Sequence, residues 1–169
     1  NLDWVKYYTE NSSKEIFEWT TALGVEYRFI MAPHGNSVAR MHFPKDSGLG
    51  LVKPIYQAAL RSDNISFRWN TRADDLIVQD GRVVGVKITN IRTNQKEELY
   101  ANVVTIATGG FQSNLEMVRE NWREDLPMPE LLLAGSGWYS QGSGIEMATE
   151  TGAKIEHLSY QWNYIDGVP

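Results

Sequence analysis

The sequence predicts an α/β fold in which an antiparallel β-meander precedes a buried central strand. Residues 103–107 read Val-Val-Thr-Ile-Ala, an apolar and β-branched run that is typical of a strand covered on both faces. Upstream, two alternating segments flank Asp80-Gly81, a dipeptide that favours a type I′ hairpin turn. Segments with helical spacing of their apolar residues lie on both sides of this β region, which completes the α/β pattern.

The first predicted element is a helix over residues 3–22. Its apolar residues recur at spacings near three and four, as on one face of a helix. They are Val5, Tyr8, Ile16, Trp19 and Leu23. The polar residues 11–13 weaken the middle of this helix and indicate a bend, and Gly24 is expected to end it.

A short strand over residues 25–30 and a long loop over residues 31–50 are expected next. The loop is rich in Pro, Gly, His and Asn, and loops of this length in compact domains are often functional or mobile. A helix over 51–61 follows, with Pro54 tolerable in its first turn only. Residues 66–69 then predict another strand.

The meander is expected to consist of three short strands, at 76–79, 82–90 and 96–100. The second turn lies at Thr93-Asn94, and the buried strand comes directly after the meander. A helix over 113–122 follows, with Ser113 or Asn114 as its cap. Residues 123–141 contain two prolines and are expected to be irregular.

Two glycine-rich segments stand where α/β proteins bind ligands. The run 103–107 ends in Thr108-Gly109-Gly110, where backbone with almost no side chain lets a bulky ligand come close. Gly142 and Gly144 open a predicted helix that ends at Gly152, and its N-terminus offers N–H groups and the positive end of the helix dipole. These features suit a pyrophosphate or a flavin edge. An ordinary core strand ended by a glycine turn is the alternative.

The composition excludes several classes of function. The chain has 169 residues, 42% of them hydrophobic, a net charge of −5 and no cysteine. A basic nucleic-acid-binding surface, disulfides and thiolate metal sites are therefore not expected. Three scattered histidines, His34, His42 and His157, do not form a zinc motif, so we expect no metal site. Because no apolar stretch reaches the length of a membrane span, we expect a cytoplasmic protein, with an exported parent as the alternative.

Four motifs together resemble one family of flavoproteins. They are Ala-Thr-Gly-Gly-Phe-Gln-Ser-Asn-Leu-Glu-Met-Val at 107–118, Gly-Ser-Gly-Ile-Glu-Met-Ala with Thr-Gly-Ala at 142–153, Ala-Arg-Met-His-Phe-Pro at 39–44 and Trp-Thr-Thr-Ala-Leu-Gly at 19–24. The family is the FAD-dependent flavoprotein family of fumarate reductase and succinate dehydrogenase, which includes flavocytochrome-type fumarate reductases and ketosteroid dehydrogenases. The resemblance covers nearly the whole chain and says little about substrate.

This resemblance implies part of a Rossmann-like FAD-binding domain from an oxidoreductase. Such an enzyme transfers a hydride between flavin and a carbon–carbon bond of a small organic substrate. The family begins with a strand, Gly-x-Gly-x-x-Gly and helix, but here Gly48 and Gly50 follow no apolar strand. We interpret residues 1–169 as a central portion that lacks this fingerprint, the capping domain and a C-terminal segment. The alternative is an isolated non-catalytic α/β domain that binds no cofactor tightly.

The resemblance also implies a set of FAD-binding residues. They are Arg72, Ala73, Ala107, Thr108, Gly109, Asn114, Gly142, Ser143 and Gly144. The first two would meet the adenine through main-chain atoms, and the 107–109 segment would line the ADP and pyrophosphate. The family often has Gly-Asp-Gly where this chain has 142–144, so only the backbone donors of that motif carry over.

On the substrate side, the resemblance points to Tyr164. Fumarate reductases place there a histidine that holds a substrate carboxylate, and a tyrosine is neutral near pH 7. With Tyr160 and Trp162 nearby in sequence, Tyr164 favours an apolar or ring-containing substrate. The alternative is that Tyr164 packs in the core. The same resemblance places His42 near the flavin rather than at the reacting carbon.

Overall fold

The computed structural model describes residues 2–32, 35–134 and 137–161, which belong to two compact units, Asn1–Phe67 and Arg68–Pro169. The helices are α1 (Leu2–Ser12), α2 (Trp19–Ala22), α3 (Ser47–Leu60), α4 (Leu115–Glu120) and α5 (Ser143–Glu150). The strands are β1 (Tyr27–Met31), β2 (Met41–Pro44), β3 (Thr71–Gln79), β4 (Arg82–Asn90) and β5 (Lys96–Tyr100).

The predicted N-terminal helix is confirmed as one continuous helical segment. A π-helical stretch, Ser13–Glu18, joins α1 to α2 where the polar residues indicated a bend. Gly24 ends the segment at a φ of +101°, a value that glycine adopts without steric cost. At this end Thr20 is buried, and its hydroxyl donates a 2.6 Å hydrogen bond to the carbonyl of Ile16.

The predicted loop 31–50 is wrong in part. Within it, β2 pairs antiparallel with β1, with Met41 opposite Met31, and α3 begins at Ser47 rather than at 51. The predicted strand 25–30 is confirmed with shifted limits. The local sequence of β2 gives only a weak strand signal. The strand forms because a partner strand ten residues earlier in the chain satisfies its backbone groups.

Pro54 lies inside α3 and not in its first turn, which corrects the sequence prediction. The helix begins earlier because Gly50 allows a close approach of backbone. A Cβ at this position would lie 1.6 Å from the carbonyl oxygen of Lys45. Pro54 has no N–H to donate to the carbonyl four residues earlier, so the helix loses one hydrogen bond there.

The second unit contains the predicted meander, ordered β3-β4-β5 and antiparallel throughout. The β3–β4 turn is confirmed, since Asp80 and Gly81 have φ values of 51° and 74°, as a type I′ turn requires. β3 starts at Thr71, five residues earlier than predicted. The strand predicted at 66–69 is absent from the structure, because the chain turns at Asn70 with a φ of 53° before pairing begins.

The central strand predicted at residues 103–107 is not formed, which is the largest difference from the sequence prediction. Val103 is 76% exposed and Ile106 is 40% exposed. A strand exists only through hydrogen bonds to a neighbouring strand, and no described residue pairs with this run in a sheet. The apolar pattern is therefore present without the partner that would bury it.

The second unit has a small core between its sheet and its helices. The buried apolar residues are Leu76, Ile77, Ile88, Val118 and Met147. Helix α5 contacts strand β3, and helix α4 carries Val118 into the interior. This arrangement holds the segments before and after α4 next to the start of α5.

We expect Gly85→Ala to lower the free energy of unfolding by about 1–3 kcal/mol, the usual cost of overpacking. Gly85 is buried in β4, and a Cβ there would lie 2.2 Å from the backbone oxygen of Leu99. Gly48→Ala is the control, because no atom lies within 4 Å of its added Cβ. Urea titrations followed by circular dichroism measure both variants, and equal effects would contradict the prediction.

Candidate functional site

The two predicted glycine segments lie together in the structure. Three hydrogen bonds join them: the N–H of Gly142 donates to the carbonyl of Gly110 at 3.2 Å, the N–H of Ser113 donates to Ser140 at 3.0 Å, and the amide of Asn114 donates to Gln141 at 3.1 Å. In all three bonds the acceptor is a backbone carbonyl oxygen. The sequence-predicted residues of the 107–114 and 142–144 segments are therefore brought to one place, which we call the glycine site.

Helix α5 begins at the glycine site with free backbone donors. Its N-cap is Gly142, which has a φ of +88° and no side chain that could cap the helix. Within the described part of the chain, no acceptor takes the N–H of Ser143 or of Gly144. The positive end of the helix dipole lies at the same position, so the start of α5 favours a negatively charged group.

The space that Gly142 and Gly144 leave is filled by the chain itself. A Cβ at Gly144 would lie 2.1 Å from Oγ1 of Thr108 and 2.7 Å from Cγ2 of Ile106. A Cβ at Gly142 would lie 2.7 Å from the sulfur of Met117. Both glycines therefore allow α5 to pack directly on the segments around it.

Gly109 differs from these two glycines. Its φ is +79°, it is exposed, and the nearest atom to an added Cβ is Oγ of Ser140 at 3.5 Å. Ala107 and Thr108, immediately before it, are also exposed. The chain thus leaves the surface at 107–109 open to a ligand, and the backbone of Gly109 can be approached closely.

Asn114 is the cap of α4, as one of the two sequence alternatives predicted. Its Oδ1 accepts a 3.1 Å hydrogen bond from the N–H of Met117, while its Nδ2 donates to Gln141. The side-chain amide therefore links α4 to the chain just before α5. Its predicted contact with a cofactor stays a prediction.

The sequence interpretation missed the loop that supports the glycine site. Ser140 donates its N–H to the carbonyl of Gly137 at 2.7 Å, and the hydroxyl of Ser113 donates to the same carbonyl. Gly137 has a φ of +67°. The Gly-x-x-Ser spacing at 137–140 is a turn signal that could have identified this loop within the stretch interpreted as irregular.

Arg72 and Ala73 lie on β3, an edge strand of the described sheet. The carbonyl of Asn70 accepts a 2.7 Å hydrogen bond from the N–H of Ile91. Because inward and outward backbone groups alternate along an antiparallel strand, the main chain of Arg72 faces β4. The N–H and C=O of Ala73 then face the open edge of the sheet.

Asp74 has the clearest electrostatic perturbation near these residues. The hydroxyl of Thr89 donates a hydrogen bond to its carboxylate, and Nε of Arg72 donates a second one at 2.7 Å. Both bonds lower the pKa of Asp74 below its usual value, and the bond from Thr89 has the larger effect. The ionised carboxylate therefore stabilises the fold above the unfolded-state pKa, and this contribution is lost as the pH falls through the lowered folded-state pKa.

A cleft of about 670 Å³ lies elsewhere in the second unit, between residues 120–125 and 155–160. In its wall, His157 stacks on Tyr160 with ring centres 4.8 Å apart. Among the lining residues 120–125, Arg123 forms a 2.6 Å ion pair with Asp125. None of the sequence-predicted cofactor residues lines this cleft.

The substrate-side candidate Tyr164 lies outside the described residues, as does Trp162. Tyr160 is described and is 76% exposed. In the first unit, the ring of His42 contacts Phe17 and Tyr27, with ring centres 4.9 and 5.5 Å apart. These contacts hold His42 in an aromatic cluster.

Comparison with known proteins places the chain in a family. The family model described as "FAD binding domain" matches residues 1–163. The chain belongs to the FAD binding domain family. This result confirms the resemblance in the sequence and makes FAD the expected cofactor of the protein.

The relatives of this chain are flavoprotein dehydrogenases and reductases. A KsdD-like steroid dehydrogenase of Mycolicibacterium smegmatis is 28% identical over 98% of this chain and 35% of its own length. A urocanate reductase of Eggerthella lenta is 34% identical over 77% of this chain and 21% of its own length. The solved open conformation of a flavocytochrome c3 fumarate reductase is 29% identical, with a TM-score of 0.71, over 85% of this chain and 25% of that chain.

The chain spans about a third or less of the length of these curated relatives. Among the described residues, no helix is both long and apolar enough to cross a membrane. The described residues fit FAD at two points. Gly109 leaves open space beside backbone, and α5 starts with donors suited to a diphosphate.

We expect Gly144→Ala to lower the free energy of unfolding by about 1–3 kcal/mol, because its methyl group would overlap Thr108 and Ile106. Adding Thr108→Ala should recover part of this loss, since it removes the atom 2.1 Å away. A double-mutant cycle should therefore give a coupling of about 0.5–2 kcal/mol.

Ser143→Ala is the matched control for this cycle. Ser143 is exposed at the neighbouring position in the first turn of α5, so its effect should stay within about 0.5 kcal/mol. Additive effects of the Gly144 and Thr108 substitutions would show that α5 does not rest on Thr108.

Proposed function

We propose that this chain supplies part of the FAD-binding surface of an oxidoreductase that acts on a carbon–carbon bond of a small molecule. The observation that carries the proposal is the glycine site. There an exposed, side-chain-free backbone at Gly109 lies in the same site as the free N–H groups at the start of α5. FAD, when bound, supplies a flavin ring that accepts or gives up a hydride.

Each part of the chain has a separate role in this proposal. Gly109 lets the cofactor approach the backbone closely, with Ala107 and Thr108 beside it. The N–H of exposed Ser143, at the positive end of the α5 dipole, offsets negative charge on the cofactor, and this backbone donor is the same for serine as for the family's aspartate. The outward main chain of Ala73 offers one donor and one acceptor to the adenine, next to Arg72.

The glycines at 142 and 144 act indirectly as well. Because their missing side chains let α5 pack on Thr108 and Met117, they set where the free donors of the helix lie. Asn114 acts in the same way, since both ends of its amide bind protein. We therefore assign Asn114, Gly142 and the α-carbon of Gly144 to the support of the site.

For the substrate, we propose an apolar or ring-containing molecule, with Tyr164 as the candidate residue that binds it. A neutral phenol provides one hydrogen bond and cannot offset the desolvation of a dicarboxylate. The relatives named as a steroid dehydrogenase, a urocanate reductase and a vinyl phenol reductase agree with a ring-containing substrate. Another relative is named as a fumarate reductase, whose substrate is a dicarboxylate.

The second candidate is a domain that, by itself, binds no cofactor tightly. It is favoured by the absence of a strand followed by Gly-x-Gly-x-x-Gly from residues 1–169. In this view the remaining domains of the parent complete the site. The predicted compartment is the cytoplasm, and export is the alternative. Fractionation of cells would decide between them.

We expect the 169-residue chain alone to bind FAD weakly or not at all, because it lacks the pyrophosphate-binding helix of the family. Isothermal titration with FAD measures this directly. Riboflavin, which has no diphosphate or adenine, is the control ligand. A sub-micromolar dissociation constant for FAD would show that the chain is sufficient as it stands.

We expect Gly109→Asn to reduce the flavin retained by the full-length protein by about tenfold or more. Asparagine tolerates a positive φ better than most residues, so the main effect of its side chain is to occupy the ligand's space. Gly152→Asn is the control, since Gly152 has a φ of +87° and no atom within 4 Å of an added Cβ. Flavin absorbance per mole of purified protein measures both, and equal retention would remove Gly109 from the site.

We expect the full-length enzyme to reduce a ring-containing enone faster than fumarate when a reduced dye supplies the electrons. Tyr164→Phe should slow the enone reaction, because the phenol's hydrogen bond is lost, while flavin content stays unchanged. Rates measured over a panel of enones, including steroids, and fumarate test this substrate proposal. Fumarate turnover above that of every enone, retained in Tyr164→Phe, would contradict it.

A further inference from the structure

We propose that Asp74 is a positioning residue for the adenine end of FAD. It holds a β-bulge in β3 and thereby fixes the main chain of Ala73 at the open edge of the sheet. This inference rests on the proposed function, because it deepens the role given there to Ala73. It concerns an interaction between side chains that contact each other and not the ligand.

The bulge is visible in the register of β3 and β4. Ala73 lies opposite Ile88, and Asp75 lies opposite Lys87, so Asp74 has no residue across from it. An extra residue of this kind bends its strand and changes the direction of neighbouring groups, and bulges are enriched next to binding sites. Asp74 is therefore the residue that sets the local course of β3.

The carboxylate of Asp74 holds this bulge from both strands. On β4, it accepts a hydrogen bond from the hydroxyl of Thr89, a residue that is only 6% exposed. On β3, it accepts a 2.7 Å hydrogen bond from Nε of Arg72, which lies opposite Thr89. One carboxylate thus ties together Arg72, Asp74 and Thr89 around the bulge.

Ala73 lies between the two tied residues of its own strand. Its backbone N–H and C=O face the edge of β3, which has no further strand among the described residues. Adenine presents a donor amine beside a ring-nitrogen acceptor, and an outward N–H and C=O of one residue match this pair. Fixing Arg72 and Asp74 therefore reduces the entropy that Ala73 loses when it binds adenine.

Asp75 is a suitable control because it has the same charge one residue further along. Its carboxylate pairs with Lys87 at 3.0 Å, and both side chains are exposed by more than 40%. This pair crosses to β4 at the first paired position after Asp74. Asp75→Asn therefore removes an equal charge and a salt bridge and leaves the Asp74–Thr89 bond in place.

The test uses full-length protein stripped of its flavin and titrated calorimetrically with FAD and, separately, with ADP. ADP carries the adenine and the diphosphate and lacks the flavin. We expect Asp74→Asn and Thr89→Val to weaken both ligands by roughly three- to tenfold, the effect of about one hydrogen bond. Thr89→Ser keeps the hydroxyl and should bind as wild type does, and Asp75→Asn should change affinity less than twofold.

Several outcomes would overturn the inference. Equal affinity of Asp74→Asn and Asp75→Asn would do so, as would weaker FAD binding with unchanged ADP binding. The melting temperature of each variant without ligand separates positioning from folding. Should Asp74→Asn fail to fold, the pair Thr89→Val and Thr89→Ser decides by itself. A wild-type protein that retains no flavin and binds neither ligand would refute the proposed function, a result distinct from loss of the Asp74 effect alone.

Discussion

The candidate site depends on one steric constraint, the direct contact between helix α5 and the segment around Thr108. A side chain at residue 144 would force its neighbours to move, because a Cβ there would lie 2.1 Å from a threonine oxygen. The contact brings the free donors of α5 next to the open backbone of Gly109. The hydrogen bonds from Gly142 to Gly110 and from Ser113 to Ser140 stabilise the same contact.

In the proposed FAD surface, backbone atoms contribute more than side chains. The free N–H groups of 143–144, the exposed chain at 107–109 and the outward groups of Ala73 are all main-chain features. Such features need glycine or a particular φ at a few positions and tolerate change elsewhere. Relatives 26–34% identical to this chain are named as steroid, urocanate and fumarate enzymes.

The exposed run 103–107 and the edge of β3 are two of the places where the described fold is open. Val103 and Ile106 have the composition of buried strand residues and yet are exposed. Apolar surface of this kind contributes to stability only when a partner covers it. The chain spans about a third of the length of the steroid dehydrogenase relative.

The sequence alone determined the features whose causes are local. The β3–β4 hairpin follows from Asp80-Gly81 and the limits of α5 from Gly142 and Gly152, since each depends on the φ of a single residue. The sequence narrowed the cap of α4 to Ser113 or Asn114, and the structure selects Asn114. The sequence motifs likewise indicated the family. Only the tertiary structure decided that β2 pairs within a predicted loop, that residues 66–69 and 103–107 form no strand, and that Asp74 bulges from β3. Strands and bulges are defined by hydrogen bonds to a partner distant in sequence, and no local pattern specifies that partner.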